Sequence, residues 1–139
     1  RELHARYEIN LENYSKTINV EGQLMVLMAN RYILPAGLEY QMNVGQSVAA
    51  AKAGGVPSKE GVKHLAKVVG LVDRFRQKTE ALARALDHAD SSAEKHAKYM
   101  RDTIVPAMVA LREIGDQLEV VIPHAIYPLP TYREMLFVK

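Results

Sequence analysis

Cysteine and tryptophan are absent from this sequence, and phenylalanine occurs twice. Without a thiol there is no disulfide framework, no thiolate zinc site and no cysteine nucleophile. With aromatics at 6%, the core has to be built from Leu, Val, Ile, Met and Ala. An excess of one charge is lacking too. Eighteen Lys and Arg stand against sixteen Asp and Glu, a net charge of +2, which predicts neither generic nucleic-acid nor membrane-surface binding. The longest apolar runs, near Leu24–Ala29 and Ile104–Leu111, fall far short of the roughly 20 residues that span a bilayer. No secretory-signal pattern opens the chain, and a helical pattern is already under way at Leu3. What is present, 48% hydrophobic and 24% charged residues over 139 positions, is enough for one packed domain spanning 1–139.

Glycine and proline cluster in one place, Ala53-Gly54-Gly55-Val56-Pro57-Ser58, and the main polar cluster is Asp87-His88-Ala89-Asp90-Ser91-Ser92. Both read as loops between helices. The first segment carries Leu3, Tyr7, Leu11, Tyr14, Ile18, Met25, Met28 and Tyr32, then Tyr40, Val44 and Val48, steps that keep one helical face apolar. The second carries Val62, Leu65, Val69, Val72, Leu82 and Leu86, with Ser58 as its N-cap. The third carries Met100, Ile104, Met108, Leu111, Leu118 and Ile122, with Ser91 and Glu94 spaced as a capping box. The spacing predicts an all-α antiparallel bundle of three long helices over about 2–51, 59–88 and 92–122. A Pro-rich tail over 123–139, with Pro123, Pro128 and Pro130, is expected to be extended.

Pro35 and Pro106 fall inside helical patterns, and each should kink or break its helix. Fifty helical residues reach roughly 75 Å, while a compact domain of this length is about 40 Å across. The first helix therefore has to fold at Pro35 or project; a helix kinked there is the expectation. A projecting half with a Leu/Tyr/Met stripe needs a partner.

Chemistry is sparse. No Glu-x-x-His and no His-x-x-x-His pair occurs, so di-iron and single-helix zinc spacings are missing. Glu60 and His64 are one turn apart, a surface pair and not a site. His4, His64, His88 and His96 read as solvent-exposed. Gly45-Gln46-Ser47-Val48-Ala49 lacks the last glycine of a nucleophile elbow, and Gly54-Gly55 lacks the Gly-Lys-Ser/Thr ending of a phosphate loop. No catalytic, metal or cofactor-binding residue is expected. Lys59, Lys63, Lys67, Arg74 and Lys78 form a basic stripe, but Glu60, Asp73 and Glu80 share the helix, so a solvated face is the plainer account.

The end of the chain is richer. Tyr127, Tyr132 and Phe137, with Leu129, Met135 and Leu136, make a tail too apolar to fray. The tail either folds back on its own bundle or docks on another domain or subunit, and the sequence leaves both open.

That tail, Tyr127-Pro128-Leu129-Pro130-Thr131-Tyr132-Arg133-Glu134-Met135-Leu136-Phe137, resembles the extreme C-terminus of type III glutamine synthetases, close to Trp-Pro-Leu-Pro-x-Tyr-Arg-Glu-Leu-Leu-Phe. Arg1-Glu2-Leu3-His4-Ala5-Arg6-Tyr7-Glu8-Ile9 is similar to the opening of that family's C-terminal helical region. Ile18-Asn19-Val20-Glu21 and Asn30-Arg31-Tyr32-Ile33-Leu34-Pro35-Ala36 come next in order, with Tyr40-Gln41 after them. The middle of the chain matches only in helical pattern. Tyr127 stands where the family has Trp, and Pro123-His124-Ala125-Ile126 stands where acidic residues are common.

The resemblance implies a cytoplasmic parent enzyme that ligates ammonia to glutamate with ATP through glutamyl phosphate, assisted by Mg or Mn. Its catalytic groups would lie in an upstream domain, leaving this chain a non-catalytic assembly domain with no cofactor of its own. The expected partners are that catalytic domain and neighbouring subunits of a homo-oligomer. Contacts are expected through Leu3, Tyr7, Leu11, Tyr14, Tyr127, Leu129, Pro130, Tyr132, Leu136 and Phe137. The alternative is a self-standing helical interaction module that binds an acidic partner through the Lys59–Lys78 stripe.

Overall fold

The computed structural model describes residues 2–88 and 92–137. All regular structure among them is helical. Helix α1 (Glu2–Met28) runs into a π-helical turn (Ala29–Ile33) and on into α2 (Leu34–Ala53), without a loop between them. After α3 (Lys59–Leu86) come α4 (Ala93–Tyr99), a second π turn (Met100–Ile104) and α5 (Val105–Val121), again in one run. A short α6 (Tyr132–Leu136) ends the described chain.

Both internal prolines are accommodated in the same way. A proline ring in a regular helix crowds the carbonyl four residues back and leaves it without a donor. Here a π turn precedes each proline: the Leu34 N–H donates to Ala29 O and the Val105 N–H to Met100 O, each five residues back. The wider turn inserts a residue just before Pro35 and Pro106, and the helix continues through both. Neither proline breaks its helix.

The extra residue also rotates the helix beyond it. Tyr32, expected on the inner stripe, is 43% exposed with the Arg31 guanidinium 5.9 Å from its ring centre; Ala29 is buried and Ile33 packs on the core in its place.

The inner seam of α1 is made of small residues seven apart, Ser15, Gly22 and Ala29, all buried. Ser15 donates its hydroxyl proton to Leu11 O within the helix, so its burial leaves no polar group unpaired. At Gly22 a Cβ would come within 2.9 Å of Leu86 Cδ2, which shows how closely α1 approaches the end of α3.

The core lies where α3 meets α5 and the second π turn. Val68, Leu71, Val72, Phe75 and Leu82 pack with Met100, Ile104, Leu111, Ile114, Leu118 and Ile122. The third stripe is thus as read from the sequence. The second is as read at Val72, Leu82 and Leu86, but Val62 is 53% exposed, and Val68, Leu71 and Phe75 also face inward.

Ser58 accepts from the Gly61 N–H at 2.9 Å and caps α3 as expected. For α4 the cap is Ser92, accepting from the Lys95 N–H; Ser91, expected in that role, lies outside the described residues. The tail differs from an extended strand. Pro123 O accepts from the Ile126 and Tyr127 N–H groups in a turn. Thr131 and Glu134 then form a reciprocal capping box that starts α6, a local hydrogen-bond gain that the prolines upstream do not oppose.

Candidate docking surface

Among the described residues no three His, Asp or Glu come close enough to share a metal ion. The histidines are individually placed, and two differ from the exposed positions expected of them. His64 is half-buried, its Nε2 hydrogen-bonded to Tyr40 Oη at 2.9 Å across the α2–α3 pair, while Glu60 bonds Lys63 instead. His96 is half-buried beside Ser15 and Asn19, with Nδ1 buried and unpaired among the described residues. His4 lies 3.9 Å from Glu8, and His88 is exposed with its ring 4.1 Å from that of Tyr99. Lys59, Lys63, Lys67, Arg74 and Lys78 are all exposed.

Apolar side chains stand out more. Every residue from Glu2 to Asn10 is exposed, so the first turns of α1 overhang the bundle. Leu3 is 83% exposed and Tyr7 50%; Tyr14 is exposed at 39%, and Leu11, at the bundle's edge, is half-buried. At the other end of α1 the tail returns to the body. Tyr127 packs against the core, and with the half-buried Leu129 it lines an open groove of about 360 Å³ walled by Met25, Met28, Phe75 and Leu111.

Burial pushes the Tyr127 phenol up to about 12, helped by the carboxylates of Glu119 and Asp116. Farther along, Pro130 is exposed, and so are Met135 and Leu136 (61%) in α6 and Phe137 (72%) just after it. Tyr132 takes the first position of α6.

The ten residues read from the sequence therefore do not form one site. Tyr127 and Leu129 fold back on the chain's own bundle, beside Met25 and Met28. The Leu3–Tyr7 overhang lies some eighteen residues away along the same helix, roughly 27 Å. The tail divides at Pro130, its first half anchored and its second half outward. A further row of exposed side chains, Val20, Leu24, Leu27, Leu38 and Met42, was not among the residues expected from the sequence. A run of sequence almost free of charge was the signal that could have found them.

No helix of the described residues is long and apolar enough to cross a membrane. Residues 1–52, the overhang and the whole α1–α2 run, match the family described as glutamine synthetase C-terminal domain. Across nearly its whole length the chain is similar to three curated proteins. It is 26% identical to a type-3 glutamine synthetase of Dictyostelium discoideum and 29% identical to a glutamine synthetase of Bacteroides fragilis, over 99% of this chain in both cases. It is 28% identical to a glutamine synthetase of Butyrivibrio fibrisolvens over 98% of this chain. It spans about 20% of the length of each. Residues 1–52 thus match the glutamine synthetase C-terminal domain family, and over nearly its whole length the chain is similar to one fifth of these glutamine synthetases, one of them a type-3 enzyme.

Proposed function

We propose that this chain serves as a non-catalytic structural and assembly domain of a type III glutamine synthetase. The parent enzyme, in this reading, is cytoplasmic and ligates ammonia to glutamate: the carboxylate takes the γ-phosphoryl group of ATP, and ammonia then displaces phosphate. The side chains described here do not fit ATP or a divalent ion, since no phosphate loop and no metal-ligand cluster is present among them. Both would therefore bind in another part of the parent protein. Leu3, Tyr7, Leu11 and Tyr14 on the overhang, and Pro130, Tyr132, Leu136 and Phe137 on the outer tail, would meet the catalytic domain or a neighbouring subunit. Tyr127 and Leu129 would hold the tail in place. The first π turn would bend the long helix at Pro35 and set the direction of the overhang.

The observation that carries the reading is the overhang itself. About two and a half unpacked turns carrying Leu3 and Tyr7 gain nothing for this bundle, and an isolated helical end of that length is not stable by propensity alone. Removing this region from the full-length enzyme should reduce the size of the assembly or its turnover. Leu3→Ser with Tyr7→Ser should do so more mildly. Unchanged particle mass and unchanged turnover after the deletion would overturn the proposal.

A further inference from the structure

Charged side chains thin out along a surface that has no burial to explain it. From Thr17 to Ala51 the long helix carries three, Glu21, Arg31 and Glu39, in thirty-five residues. Helix α3, twenty-eight residues long, carries ten. The depleted stretch nevertheless turns an outer face to solvent, with Val20 63% exposed, Leu24 52%, Leu27 49%, Leu38 40% and Met42 53%. Val20, Leu24 and Leu27 are spaced i, i+4, i+7, on the side of α1 opposite buried Gly22 and Ala29. Leu38 and Met42 are one turn apart, opposite buried Ala36 and Gly37. Exposed Gln46 and Ala49 extend the α2 face without charge. An amphipathic helix has one apolar face and buries it. This one has two, and depletion of charge beside exposed Leu and Met is the composition of an interface core.

We infer that the outer face of α1 and α2 pairs with the same face of a second copy of the chain, through an antiparallel two-fold helix contact. Charge selects this occupant. Two-fold pairing sets a patch against itself, so the Lys59–Lys67 face of α3 would meet its own sign, whereas the α1–α2 face would not. Its one cation, Arg31, lies between Glu21 and Glu39, ten residues after one and eight before the other. In an antiparallel copy, either carboxylate can therefore stand opposite it. The area suffices as well. A strip about 50 Å long and one helix wide, about 10 Å, covers roughly 500 Å² on each copy, or roughly 1,000 Å² in total, the lower bound for a specific contact. This face is separate from the overhang and the tail, and the inference does not rest on the proposed assembly role.

The test is the mass of the 139-residue chain by analytical ultracentrifugation up to about 100 μM. A dimer is expected. Leu24→Glu and Met42→Glu, at exposed positions and checked for helicity by circular dichroism, should each weaken it more than about tenfold, and Lys63→Glu on α3 should not. Leu24→Ser serves if the acidic variants lose helicity. A chain that stays monomeric over this range would overturn the inference and give the face to a different domain. So would a dimer that the Leu24 and Met42 substitutions leave intact.

Discussion

Phe75 is 1% exposed, and the ring lies against Gly115, where a Cβ would sit 3.5 Å from its Cε2. With so few aromatics in the chain, no neighbour is large enough to fill its place. Phe75→Ala should cost about 3–5 kcal/mol in chemical denaturation, a transfer loss plus a cavity that helices α3 and α5 close only in part. A loss below about 1 kcal/mol would mean that the groove beside Tyr127 collapses into the gap. Tyr127 gives a second test. Burial first, and the nearby Glu119 and Asp116 second, favour its neutral phenol, raised from the ordinary 10 to about 12. A group raised in the folded state contributes stability below its unfolded value and loses it as pH climbs to the folded one. Stability should therefore fall between about pH 10 and about pH 12. Phenolate absorbance should show Tyr127 titrating late, and Glu119→Gln should bring it earlier.

At the scale of elements, caps and π turns decide where helices start and which way they face. Thr131 and Glu134 hold α6: the Glu134 carboxylate accepts from the Thr131 N–H at 2.7 Å and from its hydroxyl, and these bonds lower its pKa below the usual value. A lowered carboxyl stabilises above its unfolded value and stops doing so as pH falls through the folded one. Amide exchange over 132–136 should be slow at neutral pH, faster once the carboxyl protonates, and fast at every pH in Thr131→Ala. Protection that ignores both changes would show α6 held by something other than its cap. Ser58 was legible in the sequence because a cap is a local bond between near neighbours. The inward turn of Val68, Leu71 and Phe75 was not, because a period of 3.6 allows adjacent stripes and packing partners choose between them. Tyr32 was misplaced for a sharper reason. A π turn adds a residue to the repeat, and nothing in the hydrophobic pattern announces it.

For the whole molecule, length and packing separate. Residues 2–10 make no buried contact, so removing residues 1–10 should leave the unfolding free energy within about 0.5 kcal/mol, as for surface changes generally. A larger loss in thermal or urea unfolding would show that the overhang packs in solution. The candidate site was legible as a list of apolar side chains, Leu3 through Phe137, and illegible as a place. Whether Tyr127 returns to the bundle while Phe137 points outward depends on contacts between parts of the chain about a hundred residues apart. The outer row from Val20 to Met42 lay in the sequence as a shortage of charge, but only exposure makes a shortage of charge informative.

By itself the sequence determined that the chain is helical, where the main loops fall and which family the two ends resemble. These depend on periodicity, short-range hydrogen bonds and motif identity, all of them local in the chain. The tertiary structure decided which faces are spent on the core and which are left over. That choice depends on how close Gly22 lets α1 approach α3, and on how two π turns rotate the residues beyond them.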